Sequence, residues 1–361
     1  MKVLAKPAYA AAHTDPVNAL LYTHVSDLGL IVKEWTPLKM LSLRYDILHV
    51  HWPDNILSHK SAAKSCLLMQ TLFLALDFVR AFGRRVVWTM HNIQSHDKLH
   101  PRLEEMFWRG FTRRVDGLIC PSERLWTRAL ASLPQLAGKP SRVVPQGPFT
   151  GAYPQAPSRQ KARAFFGIPN AAEVILFIGR IRPYKNVDGL IRAFSHLSGP
   201  NRRLIVAGVP KSDELRSRIN QLAGRDERVI LHLHFIADKD VPYYLSASDL
   251  VVLPFLEISN SGSALLALSF DRPILAPNRE AILDLQENFG STWVKVYAEA
   301  EISPDHLAMA LCWAVGTSRE AIDWKDRTWS SIAEATKELY QETLQVAASV
   351  DAVKVAETDR T

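Results

Sequence analysis

The sequence predicts an α/β protein with two doubly wound domains, and two observations support this fold class. Short runs rich in Val, Ile and Leu alternate with longer stretches of helical periodicity, which is typical of parallel strands buried on both faces. The runs form two separate series, with a stretch dense in Pro and Gly between them. The 361 residues, 47% hydrophobic and 22% charged, fit roughly two to three globular domains. A disordered chain, a collagen-like repeat and a small disulfide-stapled scaffold are excluded.

The strands are predicted in chain order, and each leads into a polar loop. The first series comprises Val3–Lys6, Asp46–Trp52, Arg85–His91, Gly117–Pro121 and Arg142–Pro145. The second series comprises Val174–Gly179, Arg203–Ala207, Val229–Phe235, Leu250–Pro254, Pro273–Ala276 and Trp293–Tyr297. Helical segments are expected between the strands of each series.

These series place one domain at residues 1–150 and a second at residues 158–323. The stretch Pro145–Ser158 lacks periodicity and is predicted to be the linker. An amphipathic helix is predicted at residues 324–346, and it could cross back to the N-terminal domain. The residues beyond it are small and polar enough to form a frayed tail.

The stretch Leu67–Val79 is the most apolar part of the chain. It is interrupted by Gln70 and Asp77, and it is too short and too polar to span a hydrocarbon core of about 30 Å. Two interpretations remain: a core helix that covers the N-terminal sheet, or a helix at a membrane interface. The second is supported by nearby cations, which lie close to Phe107 and Trp108: Arg80, Arg84, Arg85, Arg102, Arg109, Arg113 and Arg114.

The positive charge is confined to the first half of the chain. Residues 1–150 carry 19 Lys and Arg against 11 Asp and Glu, whereas residues 151–361 carry 24 against 26. Such a half is compatible with an anionic membrane surface, an acidic ligand or nucleic acid, or simply with a basic solvated surface. No nucleic acid partner is predicted, because the cations accompany neither stacking motifs nor a known binding module.

The cysteines and the N-terminus indicate a reducing compartment. Cys66, Cys120 and Cys312 are far apart and form no CxxC pair, so we expect buried free thiols and neither zinc nor a disulfide framework. The first ten residues contain no signal-peptide core, and we expect a cytoplasmic location.

A cationic loop follows the first strand of the second series. That strand ends in Gly179, and Arg180, Arg182 and Lys185 come before a helix that begins near Asn186. Ligands of open α/β sheets bind beyond the carboxyl ends of the strands. Arginine and lysine side chains at that position suit a diphosphate, although single cations there are common surface features.

A second loop of the same domain could bind the same group. Asn260, Ser261 and Gly262 precede a short helix, whose free N–H groups and dipole attract a phosphate. Taken alone, these residues fit an ordinary N-cap equally well. Taken together, the two loops predict a binding site for a nucleoside diphosphate, with each loop forming one half of the site.

A third set of candidates lies in the N-terminal domain. Alternation puts His49 and His51 on one face of a strand, but no companion Cys or carboxylate cluster supports a metal pair. The side chains that could line a cleft facing the other domain, where one could act as a base toward a hydroxyl, are His91, Asp54, His13 and Asp15. The absence of GxxxxGK[ST] and of a dinucleotide fingerprint excludes the corresponding kinases and dehydrogenases.

The stretch GRIRPYKNVDGLIRAF resembles the signature by which large retaining glycosyltransferase families bind the donor diphosphate. Those families have the GT-B fold, in which two Rossmann-like doubly wound domains face a cleft. They also carry two glutamates eight residues apart, the second followed by Ala-Met-Ala. Here Leu266–Ser269 occupies that place and only Glu257 remains near the first, which counts against a retaining mechanism.

A closer resemblance is to the GDP-mannose:glycolipid beta-1,4-mannosyltransferase family of xanthan-type exopolysaccharide assembly. It runs in order and spacing from about residue 40 to 300, through the segments Arg44–Asp54, His91–Asn92, Ile181–Lys185, Leu253–Phe255, Asn260–Leu268 and Arg272–Pro277. It implies an inverting, metal-independent transferase without a cofactor, attached peripherally to the inner face of the cytoplasmic membrane. The implied substrates are a nucleotide sugar, GDP-mannose, and a lipid-linked oligosaccharide.

This resemblance implies a role for each candidate residue. Arg180, Arg182 and Lys185, with Asn260, Ser261 and Gly262, would bind the donor diphosphate. Asp54 is the first candidate for the base, followed by Asp15, while His91 would orient the donor sugar or polarise the pair. Glu257, His51 and Asn92 would make other donor or acceptor contacts. The alternatives are a retaining glycosyltransferase with a UDP- or other GDP-sugar, and a non-catalytic scaffold of the same pathway.

Overall fold

The computed structural model describes residues 1–13, 16–93, 99–224, 226–257 and 262–358, with the side chains of residues 326 and 350–358 left aside. The chain divides into two compact units. The first unit is Met1–Gly147 together with Lys325–Thr361, and the second unit is Pro148–Trp324. Each unit is built on a six-stranded, fully parallel sheet, so the predicted α/β class with two doubly wound sheets is confirmed.

The sheet of the first unit has the strand order β2-β1-β3-β4-β5-β6. Its direction of growth reverses between β1 and β3, and ligands of such sheets bind at the carboxyl ends on either side of that reversal. The strands are β1 (Lys2–Lys6), β2 (Ile31–Glu34), β3 (Ile47–Val50), β4 (Arg85–Thr89), β5 (Gly117–Cys120) and β6 (Ser141–Val143). The helices are α1 (Val17–Asp27), α2 (Pro37–Leu41), α3 (Ala62–Ala81), α4 (Pro101–Arg113), α5 (Glu123–Ser132) and α13 (Trp329–Thr358).

Aromatic side chains fill the core of the first unit between α3, α4 and the sheet. Trp88 of β4 is fully buried, and its ring lies 5.3 Å from that of Phe111 in an edge-on arrangement. Gly110 allows α3 to approach α4 closely, because a Cβ there would collide with the ring of Phe73. Burial of these large side chains is the main favourable term in folding this unit.

Helix α3 is longer than the apolar stretch Leu67–Val79 suggested. It begins after the Ser61 N-cap and runs for twenty residues, because polar and small residues on both sides of the apolar stretch continue the helix. By length and composition alone α3 could cross a bilayer. Its inner face nevertheless packs into the core through Met69, Phe73 and other residues, as in a helix that covers a sheet.

The second unit has the strand order β12-β11-β10-β7-β8-β9, and its reversal lies between β7 and β10. Its strands are β7 (Glu173–Ile178), β8 (Arg202–Ala207), β9 (Val229–His232), β10 (Leu250–Val252), β11 (Ile274–Pro277) and β12 (Val294–Tyr297). Its helices are α6 (Arg159–Phe165), α7 (Val187–Ser195), α8 (Asp213–Ala223), α9 (Val241–Ala247), α10 (Gly262–Leu268), α11 (Glu280–Phe289) and α12 (Pro304–Gly316).

A buried ion pair ties α6 to this sheet. Arg163 has no exposed side-chain surface, and its Nη2 lies 2.7 Å from Asp249 Oδ2. The rest of the guanidinium donates to the carbonyl oxygens of Ala247, Asn170 and Ala172. These bonds compensate the desolvation of a charge that would otherwise destabilise the fold.

Three details differ from the sequence-based expectations, and a fourth agrees with them. Strand β2 was not predicted, since IVKE is a partly exposed edge segment without a continuous apolar run. Helix α13 extends to Thr358, through most of the expected tail. Cys120 is buried, but Cys66 is only partly buried and Cys312 is exposed. Residues 144–158, in the predicted linker region, are without helix or strand.

Candidate functional site

The cationic loop lies at the reversal point of the second sheet. β7 ends at Ile178, and Gly179 has a φ of +130°, a conformation that side chains rarely adopt. The loop is held against the end of β8, because Ile181 N–H donates to Val209 at 2.9 Å and Lys211 N–H donates to Ile181 at 3.0 Å. A Cβ at Gly208 would collide with the carbonyl oxygen of Gly179, so glycine is required there.

The ammonium group of Lys185 lies at this reversal point of the second sheet. Its Nζ lies 5.1 Å from the centroid of the Phe255 ring. No described residue provides a hydrogen bond or an ion pair to this ammonium group. Burial, with Arg182 and Arg180 nearby, lowers the pKa of Lys185 to about 8. A half-buried cation that faces like charges instead of a carboxylate indicates a site for an anion.

Two further segments converge on Lys185. Leu256 N–H donates to Tyr184 at 2.8 Å, which joins the loop after β10 to the loop after β7. Ser263 Oγ donates to Ile178 at 3.2 Å and would lie 3.0 Å from a Cβ at Gly179. Sequence reasoning included Ser263, Phe255 and Tyr184 in the segments of the resemblance but assigned no role to them. Ser263 had a signal, since it directly follows the predicted helix-start residue Gly262.

Of the other predicted diphosphate residues, some are described by the structure and some are not. Arg182 is half-buried and Arg180 is exposed, on the same loop as Lys185. Gly262 opens α10 and Glu257 is exposed after β10. Asn260 and Ser261 lie outside the described residues, and so does Asp15 of the first unit.

A hydrogen-bonded cluster lies at the reversal point of the first sheet. His49 and His51 stack with ring centroids 4.5 Å apart, as their shared face predicted. The hydroxyl of Tyr22 on α1 lies 2.6 Å from His51 Nε2 and 2.8 Å from His49 Nδ1. Tyr340 Oη on α13 lies 2.6 Å from the same His49 nitrogen. Because Tyr340 is so distant in sequence, nothing in the local pattern could have identified it.

His91 joins this cluster through its Nε2, which lies 3.1 Å from His51 Nδ1. The Trp52 ring stacks on the His91 ring at 4.4 Å. Burial lowers the pKa of His49 and of His91 to about 3, and lowers that of His51 well below its usual value. The three imidazoles are therefore neutral at physiological pH.

Asp54 and Asn92 form a pair beside His91. Asn92 Nδ2 donates to Asp54 Oδ2 at 3.0 Å, and both residues are buried. Asp54 sits on a short 3₁₀ turn after β3, and Asn92 follows β4. The fold thus brings together four predicted residues, His51, Asp54, His91 and Asn92. No group of three or more possible metal-ligating side chains occurs within the described part of the chain.

A carboxylate holds the loop that follows β1. Glu34 Oε2 accepts three successive backbone N–H groups, from Ala8 at 3.0 Å, Tyr9 at 2.7 Å and Ala10 at 2.8 Å. Such concave runs of N–H groups bind anions, and here the chain supplies the anion itself. This arrangement fixes residues 8–10, which precede α1 in the sequence.

The predicted membrane-facing surface is only partly as expected. Phe107 and Trp108 are buried and cannot contact a membrane. Four of the basic residues pair with nearby carboxylates: Arg80 with Asp116, Arg84 with Asp46, Arg109 with Glu105 and Arg114 with Asp77. The exposed apolar side chains of α3 and α4 are Leu67, Leu74 and Met106.

The second unit matches a known family. Residues 158–311 match the model of the glycosyl transferases group 1. The chain is 30% identical over 336 residues to the GDP-mannose:glycolipid 4-beta-D-mannosyltransferase of Xanthomonas campestris pv. campestris, which covers 92% of this chain and 90% of the relative. It is also 30% identical over 233 residues to the D-inositol 3-phosphate glycosyltransferase of Kineococcus radiotolerans, across 56% of this chain and 52% of that protein.

Solved structures share the fold along the whole chain. The Anabaena protein HepE, solved in complex with UDP-glucose, aligns with a TM-score of 0.61 at 16% identity over 98% of this chain and 100% of that one. Sucrose-phosphate synthase from Thermosynechococcus elongatus aligns with a TM-score of 0.64 at 16% identity, over 100% and 99% of the two chains.

Proposed function

Because the chain belongs to the family of the GDP-mannose:glycolipid 4-beta-D-mannosyltransferases, and so is a group 1 glycosyltransferase of the GT-B fold, we propose that it transfers mannose from GDP-mannose to a lipid-linked oligosaccharide. The acceptor is a polyprenyl-diphosphate-linked oligosaccharide of exopolysaccharide assembly. The transfer inverts the anomeric centre and uses no divalent metal.

The observation that carries this proposal is the environment of Lys185. Its half-buried side chain carries an ammonium group that lies near Arg182 and Arg180 and has no carboxylate partner among the described residues. A bound diphosphate supplies the missing negative charge. The attraction between the diphosphate and the cations is strongest where water is excluded. As the glycosidic bond to the donor breaks, charge develops on the leaving diphosphate, and these cations stabilise it without reorganisation. This is the role that a divalent metal plays in other transferases.

The chemical step is a single displacement. The acceptor hydroxyl oxygen attacks the anomeric carbon from the face opposite GDP, and the electron pair of the breaking C–O bond leaves with the diphosphate. A base takes the hydroxyl proton. Asp54 and His91 are the candidates for the base that the structure describes: Asp54 accepts a hydrogen bond from Asn92, and His91 precedes Asn92 in the sequence.

We also propose that the first unit docks on an anionic membrane, where a lipid-linked acceptor is found. Leu67 and Leu74 are 68% and 71% exposed on α3, and Met106 is 57% exposed on α4. Arg102 and Arg113 are exposed on α4. Apolar side chains that insert at the headgroup level, with cations beside them, bind anionic lipid surfaces. The membrane we propose is the cytoplasmic membrane, with the enzyme at its inner face.

The test measures thermal stabilisation by GDP, UDP and ADP and by their sugar conjugates, with and without a chelator. A ligand at a hundred times its dissociation constant adds about 2.7 kcal/mol. We expect GDP and GDP-mannose to raise the melting temperature regardless of chelator, and the β-mannoside to form on a lipid-linked acceptor. A shift with UDP compounds and an α-linked product would establish a retaining enzyme instead. No shift with any nucleotide would establish a non-catalytic scaffold.

A further inference from the structure

The cluster in the first unit contains a continuous chain of hydrogen bonds. From His91 Nε2 it runs to His51 Nδ1 at 3.1 Å, and from His51 Nε2 to Tyr22 Oη at 2.6 Å. It continues to His49 Nδ1 at 2.8 Å, and from His49 Nε2 to Thr89 Oγ1 at 2.8 Å. His49, His51 and Tyr22 are buried, whereas His91 and Thr89 at the two ends are partly exposed.

This chain has two arrangements in which every bond is made. In the first, His91 Nε2, His51 Nε2, Tyr22 Oη and His49 Nε2 each donate toward Thr89. In the second, the direction of all these bonds is reversed, and Thr89 Oγ1 donates to His49 Nε2. A neutral imidazole has one donor and one acceptor nitrogen, so each histidine fits either direction.

The two arrangements differ at the nitrogen of His91 that points away from the chain. No described residue bonds to His91 Nδ1. In the first arrangement this nitrogen carries a lone pair and can accept a proton, whereas in the second it carries a hydrogen. Converting the first into the second takes up one proton at His91 Nδ1 and releases one at Thr89 Oγ1.

We propose that the residues His91, His51, Tyr22, His49 and Thr89 form a proton wire that removes the proton of the acceptor hydroxyl during transfer. This inference rests on the proposed function and assigns His91 as its base. The acceptor O–H bond breaks as the oxygen bonds to the anomeric carbon, and the proton goes to His91 Nδ1. Each donor in the wire passes its own proton onward, and Thr89 releases one to solvent. The leaving GDP keeps the electron pair of the broken glycosidic bond.

The electrostatics of the cluster favour a wire over a base that stores the proton. Burial lowers the pKa of all three histidines, so an imidazolium would be costly at any of them. Concerted movement along the wire leaves every imidazole neutral before and after the step. His51 and Tyr22 act through His91 and are therefore positioning residues.

Tyr340 provides a matched control for Tyr22. Both tyrosines are fully buried, and both hydroxyls contact His49 Nδ1. Among the hydrogen bonds of the described residues, the Tyr340 hydroxyl reaches the wire at His49 alone, whereas Tyr22 Oη joins His51 Nε2 to His49 Nδ1. Tyr22 is a link of the wire, whereas Tyr340 lies beside it.

The experiment compares Tyr22→Phe with Tyr340→Phe in the full-length protein, using GDP-mannose and a lipid-linked acceptor. We expect Tyr22→Phe to lower kcat about 100-fold, as for loss of a general base, and Tyr340→Phe to change it less than threefold. In mixtures of H2O and D2O, the wild-type rate should fall along a curve that indicates several protons in flight. That curve should become a straight line in Tyr22→Phe.

A second pair of variants controls for loss of activity through misfolding. Thr89→Val removes the terminal hydroxyl and should lose turnover, whereas Thr89→Ser keeps it and should retain turnover. Equal losses in the two tyrosine variants, full activity of Thr89→Val, or a straight wild-type isotope plot would overturn the wire. Any of these three results would be compatible with the proposed function, provided that GDP still stabilises the protein and the wild type still transfers mannose. Failure of the wild type in both assays would instead reject the function itself.

Discussion

The backbone N–H of Leu256 donates to the carbonyl oxygen of Tyr184 at 2.8 Å across the reversal point of the second sheet. This bond fixes the loop after β10 against the loop that carries Lys185. The ring of Phe255 then faces Lys185 Nζ and helps to exclude water from it. The position of the cation is thus set by two loops that are about seventy residues apart in the sequence.

Lys185→Ala should abolish stabilisation by GDP and lower kcat/KM by about 100- to 1,000-fold, because one preorganised charge on the leaving group is lost. The melting temperature of the ligand-free protein should not fall, since the removed cation has no carboxylate partner among the described residues and lies near two like charges. Lys239→Ala, an exposed lysine in the same unit, serves as the control. An active Lys185→Ala enzyme would refute the diphosphate site.

The affinity for GDP should weaken as pH rises above about 8. The pKa of Lys185 in the free protein is about 8, so the ammonium form that binds the diphosphate is lost above this value. Isothermal titration between pH 7 and 9.5 should show the dissociation constant rising about tenfold per pH unit above the pKa. Lys185→Arg keeps its charge and should show no such rise.

The same pKa predicts the stability of the ligand-free protein. Between pH 8 and the ordinary lysine value of 10.5, the unfolded chain binds more protons at Lys185 than the folded chain does. The contribution of this residue to the free energy of unfolding therefore increases with pH across that window. The difference between wild type and Lys185→Ala in urea unfolding, measured at pH 7.5 and pH 10, isolates this contribution.

Asp54→Asn separates the two candidate bases. If His91 feeds the wire, Asp54→Asn should keep transfer to within about tenfold, while His91→Ala should lose about 100-fold or more. Single-turnover transfer under saturating GDP-mannose is the appropriate measurement. The reverse ranking would assign the base to Asp54.

Arg163→Met should lower the free energy of unfolding by about 3–5 kcal/mol, because it leaves Asp249 without its fully buried partner. Arg159 contacts the same carboxylate at 2.8 Å, but it is half exposed. Arg159→Met should therefore cost less than about 1 kcal/mol. Urea denaturation of the two variants gives both values, and similar losses would contradict this assignment.

The double variant Leu67→Glu/Leu74→Glu should reduce binding to vesicles that contain phosphatidylglycerol, since apolar insertion is replaced by charge repulsion. Leu38→Glu/Leu41→Glu makes the same change at exposed positions of another helix, α2. Co-sedimentation of both proteins measures the difference. Equal binding of the two variants would reject α3 as the docking surface.

The sequence predicted those positions of the candidate site that lie at strand ends. Lys185, Arg182, His51 and His91 all follow or end a buried apolar run, and parallel topology places such positions at one edge of a sheet. The proton wire could not be assembled in this way. Tyr22 lies on a helix, where an apolar pattern explains it fully, and Tyr340 is 291 residues away from His49.

The edge strand β2 escaped prediction for a related reason. An edge strand is partly exposed, so the hydrophobic run that marks buried strands is missing. Its Glu34 nevertheless anchors the loop after β1 through three backbone hydrogen bonds. The sequence around a charged residue at such an edge does not show which backbone N–H groups its side chain will bind.

The return of α13 to the first unit has a consequence for biosynthesis. The second unit is a contiguous insertion, so a ribosome releases all of it before α13 emerges, and it can fold first. Until then the nascent first unit lacks Tyr340 over His49 and Thr343 against Gly117. The half of the protein made first is therefore the half completed last, and a chain that stops before Tyr340 would leave its histidine cluster open to water.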